Sequence, residues 1–229
     1  MKGEPQMLWY RSFSAAREPM SSYTHFLGAL LSLIGFPLSV LLYFLKGSGE
    51  PLHLLAALIF CCSTLALYTT SCVYHFSCGT PAHINHLRKL DHAMIYVLIA
   101  GSYTPVCLTV LRNDGGLTLF ATIWGLALAG VVLTIAKLDI PRWLTSVIYL
   151  VMGWLAVFAI VPLSRLMPGA GMFWLILGGV LYTVGGVLYA VKWPGRNNPR
   201  FGCHEIFHVF ILLGSIAHFL MIYRVILPY

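Results

Sequence analysis

The chain has 229 residues, of which 59% are hydrophobic and only 9% charged, and its formal net charge is +7. With a mean hydropathy of +0.84, it is too apolar for an ordinary soluble domain, where charged residues make up about 25%. A nucleic-acid-binding reading of the positive charge is also excluded, because the cations sit in short segments between long apolar runs rather than on one basic face.

Crossing a hydrocarbon layer of about 30 Å takes about 20 apolar residues per helix. Seven runs qualify, at 23–45, 52–74, 90–111, 116–136, 143–163, 172–192 and 205–227. The expected fold is an all-α integral membrane protein, a seven-helix bundle forming one domain over 23–229, preceded by an arm over 1–22. If the N-terminus is cytoplasmic, the inner segments carry ten Lys and Arg residues and the outer ones only Lys46, Arg112, Arg165 and Arg224. That asymmetry places the arm inside and the C-terminus outside; the expected location is a cell (inner) membrane. The first run is too long for a signal peptide and lacks a small-residue cleavage site, so the first helix is expected to insert uncleaved.

Taken in order, the arm sets Trp9, Tyr10 and Phe13 among basic residues, a composition suited to the headgroup layer and equally to a disordered tail. His25, near the start of the first helix, reads as a hydrogen-bonded packing residue. The second helix ends in Ser71-Cys72-Val73-Tyr74-His75, with the hydroxyl one turn from the imidazole on a shared face. Residues 75–89, with His83, His86, Arg88 and Lys89, read as a solvated inner loop.

Asp91 opens the third helix, where a carboxylate is favoured by the helix dipole but costs roughly 2.5–3.5 kcal/mol if carried to mid-membrane. His92 projects about 100° away from it, so the two do not share one ion. Further on, Gly101-Ser102-Tyr103-Thr104-Pro105 predicts a kink whose freed backbone groups Ser and Thr satisfy. The fourth and fifth helices have no ionisable residue inside and serve packing. In the sixth, Gly178, Gly179, Gly185 and Gly186 form a small-residue seam for close helix approach. The last helix opens with His204-Glu205-Ile206-Phe207-His208. His218 lies about 21 Å beyond His204 and is expected to be buried with a partner. Six cysteines show no disulfide framework, and only Cys203 adjoins a candidate ligand.

His204 and His208, four apart, share a helix face. With His75 and Asp91 they bring metal-ligand side chains from three helices to one depth. Zinc fits best, since three imidazoles and a water make a tetrahedral site with an open position that lowers the pKa of bound water to about 7. Asp91 would orient that water, and Ser71 would hydrogen-bond a substrate oxygen or a ligand. The same five residues match the zincin pattern H-E-x-x-H, with Glu205 as base, but that reading leaves Asp91 without a role.

Ser71-x-x-x-His75, the run from Asp91-His92 through Ile95-Tyr96 to Pro105, and His204-x-x-x-His208 together resemble the hemolysin III family. This is the bacterial branch of the progestin and adipoQ receptor (PAQR) superfamily, and the resemblance runs from about residue 19 to the C-terminus. It implies a zinc ion near the cytoplasmic face held by His75, His204 and His208, with Asp91 linked through water and Ser71 in support. It also implies a role in membrane-lipid homeostasis, with a membrane lipid as substrate or ligand. The expected activity is zinc-dependent hydrolysis of a lipid amide or ester, as in the ceramidase activity proposed for eukaryotic relatives. The alternatives are a non-catalytic sensor or receptor with structural zinc and a pore-forming cytolysin. Secretion signals and insertion-ready amphipathic segments are not visible, which disfavours the cytolysin. A zinc transporter would need a polar path to the outer face, and none is apparent.

Overall fold

The computed structural model describes residues 13–46, 50–136, 142–196, 198 and 201–227. Trp9, Tyr10 and the cations Lys2, Arg11, Lys137 and Arg200 lie outside the described residues. Among the described residues eight α-helices follow one another: α1 Pro19–Lys46, α2 Pro51–Phe76, α3 Pro81–Leu108, α4 Gly116–Ile135, α5 Arg142–Trp154, α6 Ile160–Leu166, α7 Gly169–Val191 and α8 Cys203–Met221. A short 3-10 segment, Leu155–Ala159, joins α5 to α6 into one pass, and a π-helical turn, Ile222–Ile226, ends α8. No strand occurs among the described residues. The result is a seven-pass helical bundle, in which helices satisfy their own backbone hydrogen bonds in lipid. Six of the passes are long and apolar enough to span. The seventh, α3, is made too polar for that criterion by Asp91, His92, Ser102 and Thr104, which is a first sign that it serves more than anchoring.

Local chemistry sets the helix starts. Pro51 and Pro81 occupy first-turn positions, where a missing N–H costs nothing. The Thr80 hydroxyl accepts the His83 N–H at 3.3 Å and caps α3. This cap corrects the expectation of a loop over 75–89: the chain turns in four residues and α3 begins at Pro81, with His83 and His86 exposed on its first turns. Likewise α1 begins at Pro19 rather than 23, and residues just before it fold back on the end of α2. There the backbone N–H groups of Arg17 and Glu18 donate to the carbonyls of Phe76 and His75, and Phe13 packs on Tyr23, Phe26 and Phe76.

Sequential helices α1 to α4 pack side by side, as do α7 and α8, and α8 also meets α1. The α5–α6 pass stands off from its neighbours and touches α3 and α7 only lightly. Its 3-10 break is stabilised from α3. Tyr103 Oη accepts the Ala156 N–H at 2.8 Å and lies 2.6 Å from the Gly153 carbonyl. Ser102 and Thr104 donate to the Leu98 and Ala100 carbonyls at 2.9 Å, not to the Gly101 carbonyl that Pro105 leaves free. Gly101 instead lets α2 approach, since a Cβ there would collide with Ser63. The expected glycine seam divides in two. Gly178 and Gly185 face α8, whereas Gly179 has nothing nearby and Gly186 meets only Leu150.

A cluster including Phe60, Leu111, Leu163, Met221 and Ile226 closes one end of the bundle with apolar side chains. Large apolar residues such as Leu128, Phe44 and Phe158 point outward, the last 84% exposed. That outer surface suits lipid rather than water. The opposite end gathers the start of α1, the end of α2, and the starts of α3 and α8, and this is where the polar side chains meet.

Candidate metal centre

His75 lies in the last turn of α2, and His204 and His208 lie on the first turns of α8. One ring nitrogen from each falls within 4.8 Å of the other two. The Nε2 atoms of His75 and His204 are 3.3 Å apart, and the His204 and His208 ring centroids 4.4 Å. His75 and His208 are 1% and 2% exposed. Three imidazoles, two buried and that of His204 half-buried, converging on one point leave lone pairs facing each other unless a cation or protons lie between them. That donor set, nitrogen only and nearly dry, suits a borderline-soft ion.

Two contacts from the start of α1 orient the rings. Glu18 Oε2 stands 2.5 Å from His75 Nδ1, so the proton on Nδ1 faces the carboxylate and Nε2 turns inward. Glu18 precedes the membrane span, and the hydrogen bond from His75 holds its carboxyl below the ordinary glutamate value despite partial burial. Thr24 Oγ1 donates to the Ser21 carbonyl at 3.0 Å and lies 3.3 Å from His208 Nδ1. The single hydroxyl proton is thus used, so His208 Nδ1 is the donor to Thr24 and its Nε2 also turns inward. Carboxylates and hydroxyls behind imidazoles are the usual means of fixing tautomer and ring direction at metal sites.

Glu205 does not point into this centre. Its Oε1 accepts from Ser21 Oγ at 2.6 Å and its Oε2 from the Gly202 N–H at 2.8 Å, which ties α1 to the start of α8. With both oxygens engaged, a general-base role of the zincin type has no geometric support. Cys203 is free and stands outside the ligand group formed among the described residues. Asp91 is 8% exposed, and its carboxylate neighbours His75, Ser71 and His92. Ser71 is buried at 1% exposure, and its Oγ completes no hydrogen bond among the described residues. The histidine at position 25 departs from expectation. Among the described residues both ring nitrogens lack a hydrogen-bond partner, and the ring stacks on His208 at 3.6 Å and 15°.

From this end a cavity of about 650 Å³ runs into the bundle. Ser71, Asp91, His204 and His208 lie on its wall, followed by apolar residues of α3, α5, α7 and α8. It exists because α5 stands off, leaving a space that the glycines on the open side of α7 do not fill. Sequence reasoning found the three histidines but missed Glu18, Thr24 and Ser21. The signal was present in Glu18-Pro19, an acidic residue directly before a proline at a helix start.

Residues 13–219 match the family described as Haemolysin-III related. The chain is 37% identical over 219 residues to the Hemolysin-3 homolog of Bacillus subtilis, covering 95% of this chain and 99% of that protein. It is 34% identical over 211 residues to Hemolysin-3 of Bacillus cereus, covering 92% of each. A more distant relative is the Adiponectin receptor protein of Drosophila melanogaster, 26% identical across 90% of this chain and 50% of that protein. A seven-pass helical bundle, a three-histidine centre at one end and these matches over nearly the whole chain converge: the protein is a multi-pass membrane protein of the haemolysin-III related family.

Proposed function

We propose that the protein is a zinc-dependent hydrolase of a membrane lipid amide or ester, acting in membrane-lipid homeostasis. The observation that carries this reading is that His75, His204 and His208 converge at the mouth of an apolar cavity whose wall also bears Asp91 and Ser71. In this reading His75, His204 and His208 hold the ion. Bound zinc supplies Lewis acidity toward water and toward a carbonyl oxygen. Asp91 takes the proton from the water that adds to the carbonyl carbon and delivers it to the leaving nitrogen or oxygen as that bond to carbon breaks. Ser71, whose hydroxyl lies beside Asp91 and completes no hydrogen bond among the described residues, donates to the substrate oxygen. The cavity receives the acyl chain and keeps bulk water from it, while Glu18 and Thr24 hold the rings in place.

This end of the bundle also collects the described cations Arg17, Arg88, Lys89, Lys192 and Arg196, which supports placing it and the N-terminus at the cytoplasmic face. A second reading has one observation in its favour. Contacts at the centre run through α1, α2 and α8 together, so a bound ion would pin three helices and serve a sensor or receptor that turns nothing over.

The deciding experiment follows fatty acid release from a ceramide by the purified zinc-loaded protein in lipid nanodiscs, beside Asp91→Ala and Ser71→Ala. Release that Asp91→Ala abolishes with zinc retained is the expected result. Full activity in Asp91→Ala would overturn the mechanism. A wild type with stoichiometric zinc and no release from ceramide or an ester lipid would leave the sensor reading in its place.

A further inference from the structure

His218 sits on α8, on the wall of the same cavity. It is 6% exposed, and neither ring nitrogen completes a hydrogen bond among the described residues. The Leu175 backbone lies near without completing a bond. The ring is accommodated deliberately: it rests on α7 at Gly178, where a Cβ would collide with it, and packs edge-on against Tyr182 at 5.3 Å. Tyr182 cannot relieve it, because the tyrosine hydroxyl is paired with Ser215 at 2.9 Å, and Ser215 also receives Tyr68 at 2.7 Å. An apolar side chain of similar size would fill this place without loss of solvation, so a buried imidazole with both nitrogens unmet marks a place where a ligand group fits.

We propose that His218 is a subsite for a hydroxyl group carried partway along an acyl chain in the cavity. A neutral imidazole offers one donor and one acceptor, and a hydroxyl is the small group that answers both. The wall between the two ends is mostly apolar, with Leu98, Ile99, Leu150 and Ile211 beside the hydroxyls of Ser102, Tyr149 and Thr183, so the intervening part of the ligand is chiefly hydrocarbon. His208, Ile211 and His218 fall on one face of α8. Ten residues at about 1.5 Å separate the two histidines by about 15 Å. An extended chain built on C–C bonds of about 1.5 Å advances roughly 1.3 Å per carbon, which sets the hydroxyl about twelve carbons from the carbonyl. The subsite rests on the cavity receiving a lipid carbonyl at its His75 end, as in the function above, but not on hydrolysis.

Binding of octadecanoic acid and 12-hydroxyoctadecanoic acid is compared by displacement of dansyl-labelled undecanoic acid from the full-length, zinc-loaded protein in nanodiscs. The expected result is about fivefold tighter binding of the hydroxy acid to wild type, the size of one net hydrogen bond. The preference disappears in His218→Phe and His218→Leu, where octadecanoic acid binds as well as before, and partly returns in His218→Gln. In His75→Ala both acids weaken together and the preference stays. Equal affinities in wild type, as when water satisfies the imidazole, or a preference that survives in both apolar variants, overturn the subsite. So does failure of either acid to displace the probe. A hydroxyl preference without turnover of either ceramide or an ester lipid would refute the hydrolase and leave the subsite standing.

Discussion

Removing the Glu18 carboxylate leaves His75 in place but takes away the group that directs its proton. The 2.5 Å contact with His75 Nδ1 is the only oxygen contact to that nitrogen among the described residues. Glu18→Gln keeps an acceptor but loses the charge, while Glu18→Ala leaves Nδ1 unpaired in a residue only 1% exposed. Losing a group that orients a metal-ligating histidine costs about 10–100-fold in metal affinity, or about 1.4–2.8 kcal/mol. The glutamine variant is expected near the lower figure and the alanine variant near the upper. The assay is competition for zinc against a chromophoric chelator in detergent, with Glu50→Ala as control, since Glu50 pairs with Arg112 at 2.6 Å on an exposed surface. Affinity in Glu18→Ala equal to wild type would refute the view that the start of α1 builds the centre.

Three further outcomes follow from the contacts. Ser21→Ala removes the 2.6 Å bond to Glu205 and is expected to lower stability by about 1.5–3 kcal/mol, as for hydrogen bonds to charged groups. Zinc stoichiometry should not change; thermal denaturation and metal analysis read the two effects separately, and an unchanged melting point would count against the tie between α1 and α8. Gly178→Ala should destabilise by about 1–3 kcal/mol through overpacking against His218. Gly179→Ala, with nothing within 4 Å, should not, and equal melting temperatures for the two variants would contradict the assigned faces of α7. In metal-free protein, Glu18 titrates below its ordinary value near 4.5 because of His75. A depressed carboxyl stabilises the fold above its unfolded value, and that stability is lost as pH falls through the folded one. Wild type should therefore exceed Glu18→Gln in melting temperature at pH 6, and the two should converge well below pH 4. A gap that persists in acid would contradict the linkage.

The histidine centre was legible because its geometry is helical: His204 and His208 are four apart, and His75 and Asp91 end or begin neighbouring passes. Seven apolar runs gave the bundle for the same reason, since length and hydropathy are local properties. What could not be read was tertiary. Ser21, Ser22 and Thr24 look like an exposed polar stretch until α1 is packed, when all three prove to be buried against α2 and α8. Thr80-Pro81 carried a readable helix start that the surrounding polar residues masked. The cavity depends on how far α5 stands from α3 and α7, a distance no periodicity encodes. His218 was expected to have a partner because burial normally demands one, and the structure places it against an open space instead.

The measurement that bears most directly on the central claim is metal content by mass spectrometry of protein purified without chelator, for wild type, His75→Ala, His208→Ala and Asp91→Ala. The account predicts about one zinc per chain in wild type, largely kept in Asp91→Ala and lost in both histidine variants. A metal-free wild type, or zinc retained in full when His75 and His208 are each removed, would contradict it.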